Sequence, residues 1–324
     1  MTVSALAGAR ITVAGATGLV GTNLLPELLT AGARVRGVIH SRPPQFAAGD
    51  VEFIQADLTT AEGCRKAVSD TDIFVMAAAN SSGAQVMASK PLTHLTPNIV
   101  MNALTLEAAY EAGVSKYCFI SSNTVYPPGD NAMTEDDVTG EFFSSYSVVA
   151  GMKLYSEQMV QHYSSLNGKS METLIIRPAN LYGPFDKFSP TESKVIPALV
   201  RRAVHREDPF LVWGDGRDIK DFLYISDFVV GLVKSLALDS RQEIVNLASG
   251  DSVSLREVLP KILQSADHAN AVVEYDATKP SMIPVRRISP VKAKELLGWV
   301  PTVGLDEGIA RTVEWYKKYL SSQA

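Results

Sequence analysis

The chain has 324 residues, 46% of them apolar, with 30 basic and 35 acidic side chains and a formal charge of −5. That length can bury a large core as one large or two modest domains, and an acidic balance without any basic block argues against a nucleic-acid partner. Cys64 and Cys118 are isolated in apolar surroundings and read as buried free thiols, with neither metal-ligand spacing nor a disulfide framework. No run reaches transmembrane length, and the N-terminus lacks a basic flank with an apolar core. A cytoplasmic protein without a membrane or metal partner is therefore expected.

The first predicted element is the most informative. In ITVAGATGLVG (11–21) a β-branched run stops at Gly15, and Gly18 and Gly21 follow before Asn23, Leu24, Leu25, Leu28 and Leu29 start a helix pattern. The three glycines are needed for separate reasons. Gly15 turns the chain, Gly18 lets backbone approach a pyrophosphate, and Gly21 lets the helix pack closely. Free N–H groups and the helix dipole would hold the phosphates. Strand, tight turn and helix N-terminus together predict dinucleotide binding, with Gly15, Thr17, Gly18, Leu19, Val20 and Gly21 around the cofactor.

Strand and helix signals then alternate. Strands are predicted at 34–39, 51–54, 72–76, 116–121 and 173–176, and helices at 61–68, 98–112 and 146–166. This alternation predicts an α/β fold, a doubly wound parallel Rossmann sheet with crossover helices. After Arg177-Pro178 the prolines at 178, 184, 190, 197 and 209 break the periodicity, and 244–247 reads as one more strand. The expected division is a dinucleotide-binding domain at 1–178 plus about 221–248, and a smaller, irregular substrate lobe at 179–220 and 249–324. That lobe should cover the carboxyl ends of the strands, where such folds bind ligands.

An acidic residue ending the second strand would hold the adenosine ribose of NAD and repel a 2′-phosphate. No Asp or Glu occurs between Glu27 and Asp50, and the strand runs into His40, Ser41 and Arg42. Arg42 could grip a phosphate through its fork and Ser41 could donate to it, which favours NADP, with NAD as the alternative. The competing reading makes Arg42 a solvated loop residue. Asp57, followed by Leu58, is placed either to meet the adenine amino group or to cap the next helix. Ala77, Ala78 and Ala79 end the fourth strand beside the cofactor.

These segments resemble the extended short-chain dehydrogenase/reductases, specifically the nucleotide-sugar epimerase, dehydratase and reductase group. The resemblance covers nearly the whole chain: GATGLVG at 15–21, ADL at 56–58, AAA at 77–79, EAAYEAGVSKYCFISSNTVY at 107–126, RPANLYGP at 177–184, VWGDGRDIKDFLYISD at 212–227 and LLGWVP at 296–301. The GDP-fucose synthase branch is the most similar, through TVYPP, LYGPFDKF and SKVIPALVRR. It implies a nucleotide-sugar substrate whose diphosphate is surrounded by Asn180, Lys194, Trp213, Lys220 and Arg286 or Arg287. It also implies a homodimer through a four-helix bundle built on the helices at 98–112 and 150–166.

The catalytic set departs from that pattern. Relatives carry a Tyr four residues before a Lys, one helical turn apart, so that the ammonium lowers the phenol pKa and binds the nicotinamide ribose. The Lys153…Glu157 spacing makes Lys153 the expected lysine, and the position four before it is Val149. Tyr146 lies seven before, about 10 Å away along a regular helix. Either the helix starts late or is distorted so that Tyr146 swings in, or the proton donor is gone; Tyr146 or a lysine-bound water would then supply the proton. Ser122 stands where the family's Ser or Thr bonds the reacting sugar oxygen. Thr124 replaces the proton-moving Cys of fucose synthases and is left as a substrate contact, while Phe185 replaces their His. Asn123 and Thr124 replace the Asp-Glu pair of 4,6-dehydratases, so 4-keto reduction or 4-epimerisation is favoured over dehydration. The rival reading is a non-catalytic NADP or nucleotide-sugar sensor. His94, His162, His205 and His268 read as structural or surface residues, and Tyr155, Met159 and Tyr163 as a packing stripe.

Overall fold

The computed structural model describes residues 3–45, 49–81, 86, 90, 92–166, 168–279 and 283–323. Elements are numbered along the chain. Seven strands form the main sheet: β1 (Arg10–Ala14), β2 (Arg34–Ile39), β3 (Val51–Gln55), β4 (Ile73–Met76), β5 (Lys116–Ile120), β7 (Glu172–Pro178) and β11 (Gln242–Leu247). All pair in parallel, in the order β11-β7-β5-β4-β1-β2-β3. The order reverses between β1 and β4, which opens the crevice where ligands of such sheets bind. Every residue of β4 and β5 is buried, as continuous apolar strands covered on both faces must be.

Helices cover both faces. Helices α2 (Ala61–Val68), α3 (Leu92–Ala112) and α4 (Ser147–Ser165) bury Cys64, Leu106 and Val160 against Phe74 and Tyr117. On the other face α1 (Leu19–Thr30) and α6 (Ile225–Leu236) pack Leu24, Leu28, Phe228 and Leu232 against Val13 and Val75. Cys64 and Cys118 are buried free thiols, as expected. Helix α3 begins six residues before the expected start at 98 and runs through Pro97. Asn98 explains the longer helix: its amide donates to His94 O at 2.6 Å and, with Asn80, exchanges two hydrogen bonds of 2.7 and 3.0 Å. The side chain thereby anchors the first turns to the loop after β4.

The second half is more regular than expected. Strands β8 (Asn180–Tyr182), β10 (Ile219–Tyr224), β12 (Ser252–Ser254), β14 (Val285–Ile288) and β6 (Ala132–Met133) form a second sheet, and β9 (Phe210–Trp213) pairs with β13 (Val273–Asp276). These strands are short and separated by turns, so no period could show in the sequence. Helices α5 (Val195–Val204), α7 (Leu255–Ser265) and α9 (Leu305–Gln323) close a separate core around Phe210, Phe222, Leu199, Ile262 and Ile309. Helix α8 (Val291–Leu297) packs on the main sheet's edge strand β11. Among the described residues no helix is long and apolar enough to cross a membrane, and no group of three His, Cys, Asp or Glu side chains could hold a metal ion.

Two glycines fix how β1 turns into α1. Gly15 has φ +77°, and a Cβ there would lie 2.7 Å from Ala78 Cα. A Cβ on Gly21 would lie 2.3 Å from Gly15 O. The first turn of α1 is thus pressed against the backbone it has just left. Gly21→Ala should destabilise the fold by about 1–3 kcal/mol, the usual cost of forcing volume into a packed contact. Urea unfolding of the variant checks this; a midpoint equal to wild type would contradict the packing described.

Candidate active site

The glycine turn faces the carboxyl ends of β1 and β4. Gly18 caps α1 in an extended conformation, and among the described residues other than its chain neighbours only Gly15 O, at 3.3 Å, lies within 4 Å of where its Cβ would be. The outer side of this turn is therefore a backbone cradle of the kind that accepts a pyrophosphate. Thr17 is buried, Leu19 and Val20 open the helix, and Ala77 and Ala78 pass directly beneath Gly15. Ala79 is exposed on the loop that follows. His40, Ser41 and Arg42 are exposed just beyond β2. Buried Leu58 accepts the Cys64 thiol on its carbonyl at 3.2 Å.

Asp57 does not cap α2. The cap is Thr60, whose hydroxyl accepts from Gly63 N at 3.1 Å, because it is the residue directly before the helix. Asp57 Oδ1 instead accepts from Thr59 N and Oγ1 at 2.9 and 2.7 Å, and these bonds lower its pKa.

Beside the cradle stands a buried polar network that the sequence does not reveal. Arg177 of β7 grips Glu157 of α4: Nη2 donates to Oε2 at 2.7 Å and Nε to Oε1 at 3.1 Å. The two side chains are 3% and 1% exposed, so this pair is held almost without water. Ser121, just beyond β5, donates to the same carboxylate. Arg177 Nη1 also donates to Glu135 O at 2.7 Å and to the Tyr126 hydroxyl at 3.2 Å, which donates in turn to Asn246 Oδ1 at 2.6 Å. The only trace in the sequence is the Lys153…Glu157 spacing; the partner lies 20 residues further on.

This network fixes Lys153. One turn before Glu157 on α4, its Nζ donates to Ile120 O at 2.8 Å and lies 4.6 Å from the centre of the Phe119 ring. Burial brings its pKa down to about 8, against the pull of Glu157 and with help from the charge of Lys194. Ser122 follows the same strand end. Its Oγ accepts from Thr124 N at 3.2 Å and from Thr124 Oγ1 at 3.0 Å. A hydroxyl that has accepted twice retains its proton for donation, the polarity needed to hold a carbonyl oxygen. Thr124 thus orients Ser122.

Tyr146 precedes α4 directly, on a single turn of 3-10 helix at Ser144–Tyr146. Burial and the negative charge of Asp218, in the approach to β10, raise its phenol pKa. Val149, in the third position of the helix, offers no proton.

The residues expected around a diphosphate lie in the second lobe. Asn180 donates to Asp221 O at 2.8 Å, and Lys220 to Ile283 O and Asp218 Oδ2 at 2.9 and 3.3 Å. Trp213 is half-buried with Lys279 Nζ 5.6 Å from its ring, and Lys194 is exposed at the head of α5. Arg286 is fully buried and donates to Tyr126 O and Pro127 O at 2.9 and 3.0 Å, leaving Arg287 as the half-buried arginine of β14. Along the packing stripe, Tyr163 meets Tyr110 of α3 edge-on at 5.3 Å, whereas Tyr155 is 54% exposed.

Residues 11–248 match the NAD dependent epimerase/dehydratase family. GDP-L-fucose synthase 1 of Arabidopsis thaliana is 30% identical over 323 residues, which cover 96% of this chain and 94% of that protein. GDP-L-fucose synthase of Sinorhizobium fredii is 29% identical, covering 98% of both chains. Among solved structures, MoeE5 in complex with UDP-glucuronic acid and NAD superposes with a TM-score of 0.83 at 25% identity, over 96% of this chain and 99% of that one.

Removing one partner of a buried ion pair leaves the other charge uncompensated. Glu157→Gln should therefore lower stability by about 3–5 kcal/mol. Chemical denaturation of the variant checks this, and a loss below about 1 kcal/mol, the range of exposed pairs, would show the pair to be dispensable.

Proposed function

This chain belongs to the NAD dependent epimerase/dehydratase family, and we propose that it is an NADP-dependent oxidoreductase or isomerase acting on a nucleotide-activated sugar, by 4-keto reduction or 4-epimerisation. The observation that carries the reading is that Lys153, bonded to Ile120 O, and Ser122, oriented by Thr124, both stand at the end of β5 in a fold whose first turn is a glycine cradle suited to a dinucleotide. A bound nicotinamide dinucleotide supplies or takes up a hydride. The chain's own residues do the rest. Gly18 and its neighbours hold the phosphates with backbone N–H groups, and the Lys153 ammonium is the cation for the ribose hydroxyls. Ser122 donates to the sugar oxygen. Asn180, Trp213, Lys220 and Lys194 are the nucleotide-diphosphate contacts, and the names of the curated relatives support a nucleotide-sugar substrate for the lobe that carries them.

The NADP assignment rests on the end of β2, where His40, Ser41 and Arg42 stand in place of an acid. NADPH should bind more tightly than NADH, and Arg42→Ala should remove the preference. Fluorescence titration with both cofactors decides this. An NADH preference in the wild type, or selectivity unchanged in Arg42→Ala, would assign NAD instead.

The Lys153 ammonium is lost as pH rises through about 8. NADPH affinity and turnover should therefore fall on the alkaline side. Lys153→Met should abolish turnover and erase that pH dependence while retaining weaker cofactor binding. The measurements are cofactor titration across pH and NADPH oxidation with GDP-, UDP-, CDP- and dTDP-sugars. A wild type that binds cofactor and nucleotide but transforms none of these would favour the sensor reading, for which the Val149 side chain is the structural argument.

A further inference from the structure

Where β5 ends, one hydroxyl is left for a ligand. Every residue from Lys116 to Tyr126 is buried except Ser122, which is half-buried at the carboxyl edge of the sheet. Its neighbour Ser121 is already spent, because that hydroxyl donates to Glu157. Ser122 caps the short 3-10 turn Asn123–Val125, and the turn is pinned along its length. The Asn123 amide donates to Pro178 O at 3.0 Å, Val125 lies in the main core, and the Tyr126 hydroxyl donates to Asn246 Oδ1 at 2.6 Å. Thr124, buried inside this turn, is thereby held beside Ser122.

A serine hydroxyl has one proton and two lone pairs. Thr124 occupies both lone pairs, through its N at 3.2 Å and its Oγ1 at 3.0 Å, so toward a ligand Ser122 is a donor only. Lys153, the other polar group bonded to this strand end, has donors and no acceptor while it is an ammonium. Val149, one turn before it on α4, is apolar. Phe185, on the loop after β8, turns to α9, where its ring lies 5.0 Å from Trp315 and Phe188 stacks on Tyr316 at 4.3 Å, centre to centre. Asn23 of α1 holds that loop from the other side by donating to Pro184 O at 3.1 Å. A carbonyl oxygen meets such a set of donors without loss. A sugar hydroxyl in its place finds no acceptor for its proton among these groups, and hydride cannot leave its carbon to form a carbonyl unless that proton goes.

Resting on the reading under Proposed function, we propose that Thr124 is a positioning and specificity-determining residue. By occupying both lone pairs of Ser122 it commits the site to a carbonyl oxygen, and hence to reduction of a keto sugar rather than to 4-epimerisation, which must first oxidise a hydroxyl. In the reduction, hydride from the reduced nicotinamide forms the new C–H bond as the carbonyl π bond breaks. Negative charge gathers on the oxygen that Ser122 holds, and its electron pair ends in an O–H bond whose proton comes from solvent water. The bond from Ser122 strengthens as that charge develops, so its alignment by Thr124 matters more in the transition state than in the bound ground state.

The test uses GDP-, UDP-, CDP- and dTDP-linked 4-keto sugars with NADPH, and the matching 4-hydroxy sugars with NADP, buffered below the Lys153 value of about 8. Wild type should reduce the keto sugar of one nucleotide and leave its 4-hydroxy epimers unchanged by proton NMR. Ser122→Ala should lower kcat by about 10²–10³-fold, the range for losing a donor to a developing oxyanion. Thr124→Val keeps the volume and the backbone N–H but returns one lone pair to Ser122. Its kcat should fall by about 2- to 12-fold, the worth of one hydrogen bond, with KM changing less. The 4-hydroxy sugar, as a competitive inhibitor of reduction, should bind that variant more tightly than wild type by a similar factor. Thr124→Ser should restore both values, and Thr124→Ala gives the same comparison should Thr124→Val not fold. In a Ser122→Ala background Thr124→Val should change neither, because Thr124 acts only through that hydroxyl. A further loss there overturns the proposal alone, as does a Thr124→Val variant with wild-type rate and preference, or a wild type that interconverts 4-hydroxy epimers. A wild type that neither binds nor transforms any of these sugars overturns the reading beneath it, and this proposal with it.

Discussion

The placement of α4 against the sheet, and with it that of Lys153, depends on one buried ion pair. Glu157 and Arg177 join α4 to β7 through two near-parallel hydrogen bonds in a site with almost no water. A pair of charges taken out of water must be matched in geometry, since desolvation otherwise exceeds the attraction. The match here is extensive. Ser121 takes up the carboxylate's remaining capacity, and Tyr126 and Glu135 O take up that of the guanidinium. The pair therefore sets the height and rotation of α4 against the sheet. Lys153, one turn away, inherits that placement and reaches Ile120 O at the end of β5, the strand that delivers Ser122.

A second constraint comes from the other lobe. The loop between β8 and α5 is held from two sides, by Asn23 of α1 and by the aromatic face of α9. A loop packed only on α9 would follow the second core, and one packed only on α1 would follow the main sheet. Held by both, it keeps Lys187 on Ser81 O of the loop after β4, and it does so with a backbone conformation at Phe185 that a β-carbon disfavours.

Legibility in the sequence varies with the kind of interaction. The main sheet is legible almost to the residue, because strands buried on both faces must be continuously apolar and are punctuated by helices. The second sheet is not, since three-residue strands such as Asn180–Tyr182 and Ser252–Ser254 are too short to establish a period. The glycine turn is legible because each glycine answers a local steric demand. The Glu157–Arg177 pair is hidden, since side-chain partners in different elements leave no mark in spacing. Arg286, expected at a ligand, is instead bound to the carbonyls of Tyr126 and Pro127.

The aromatic seat of the 183–188 loop on α9 also bears on how the molecule is assembled during synthesis. The dinucleotide half can be completed once β11 has been made, because all seven of its strands are then available. Trp315 and Tyr316, which hold the loop from the other side, emerge dozens of residues later. N-terminal parts of a chain fold first as it is made. A nascent chain thus acquires its glycine turn before it acquires the aromatic support of the 183–188 loop.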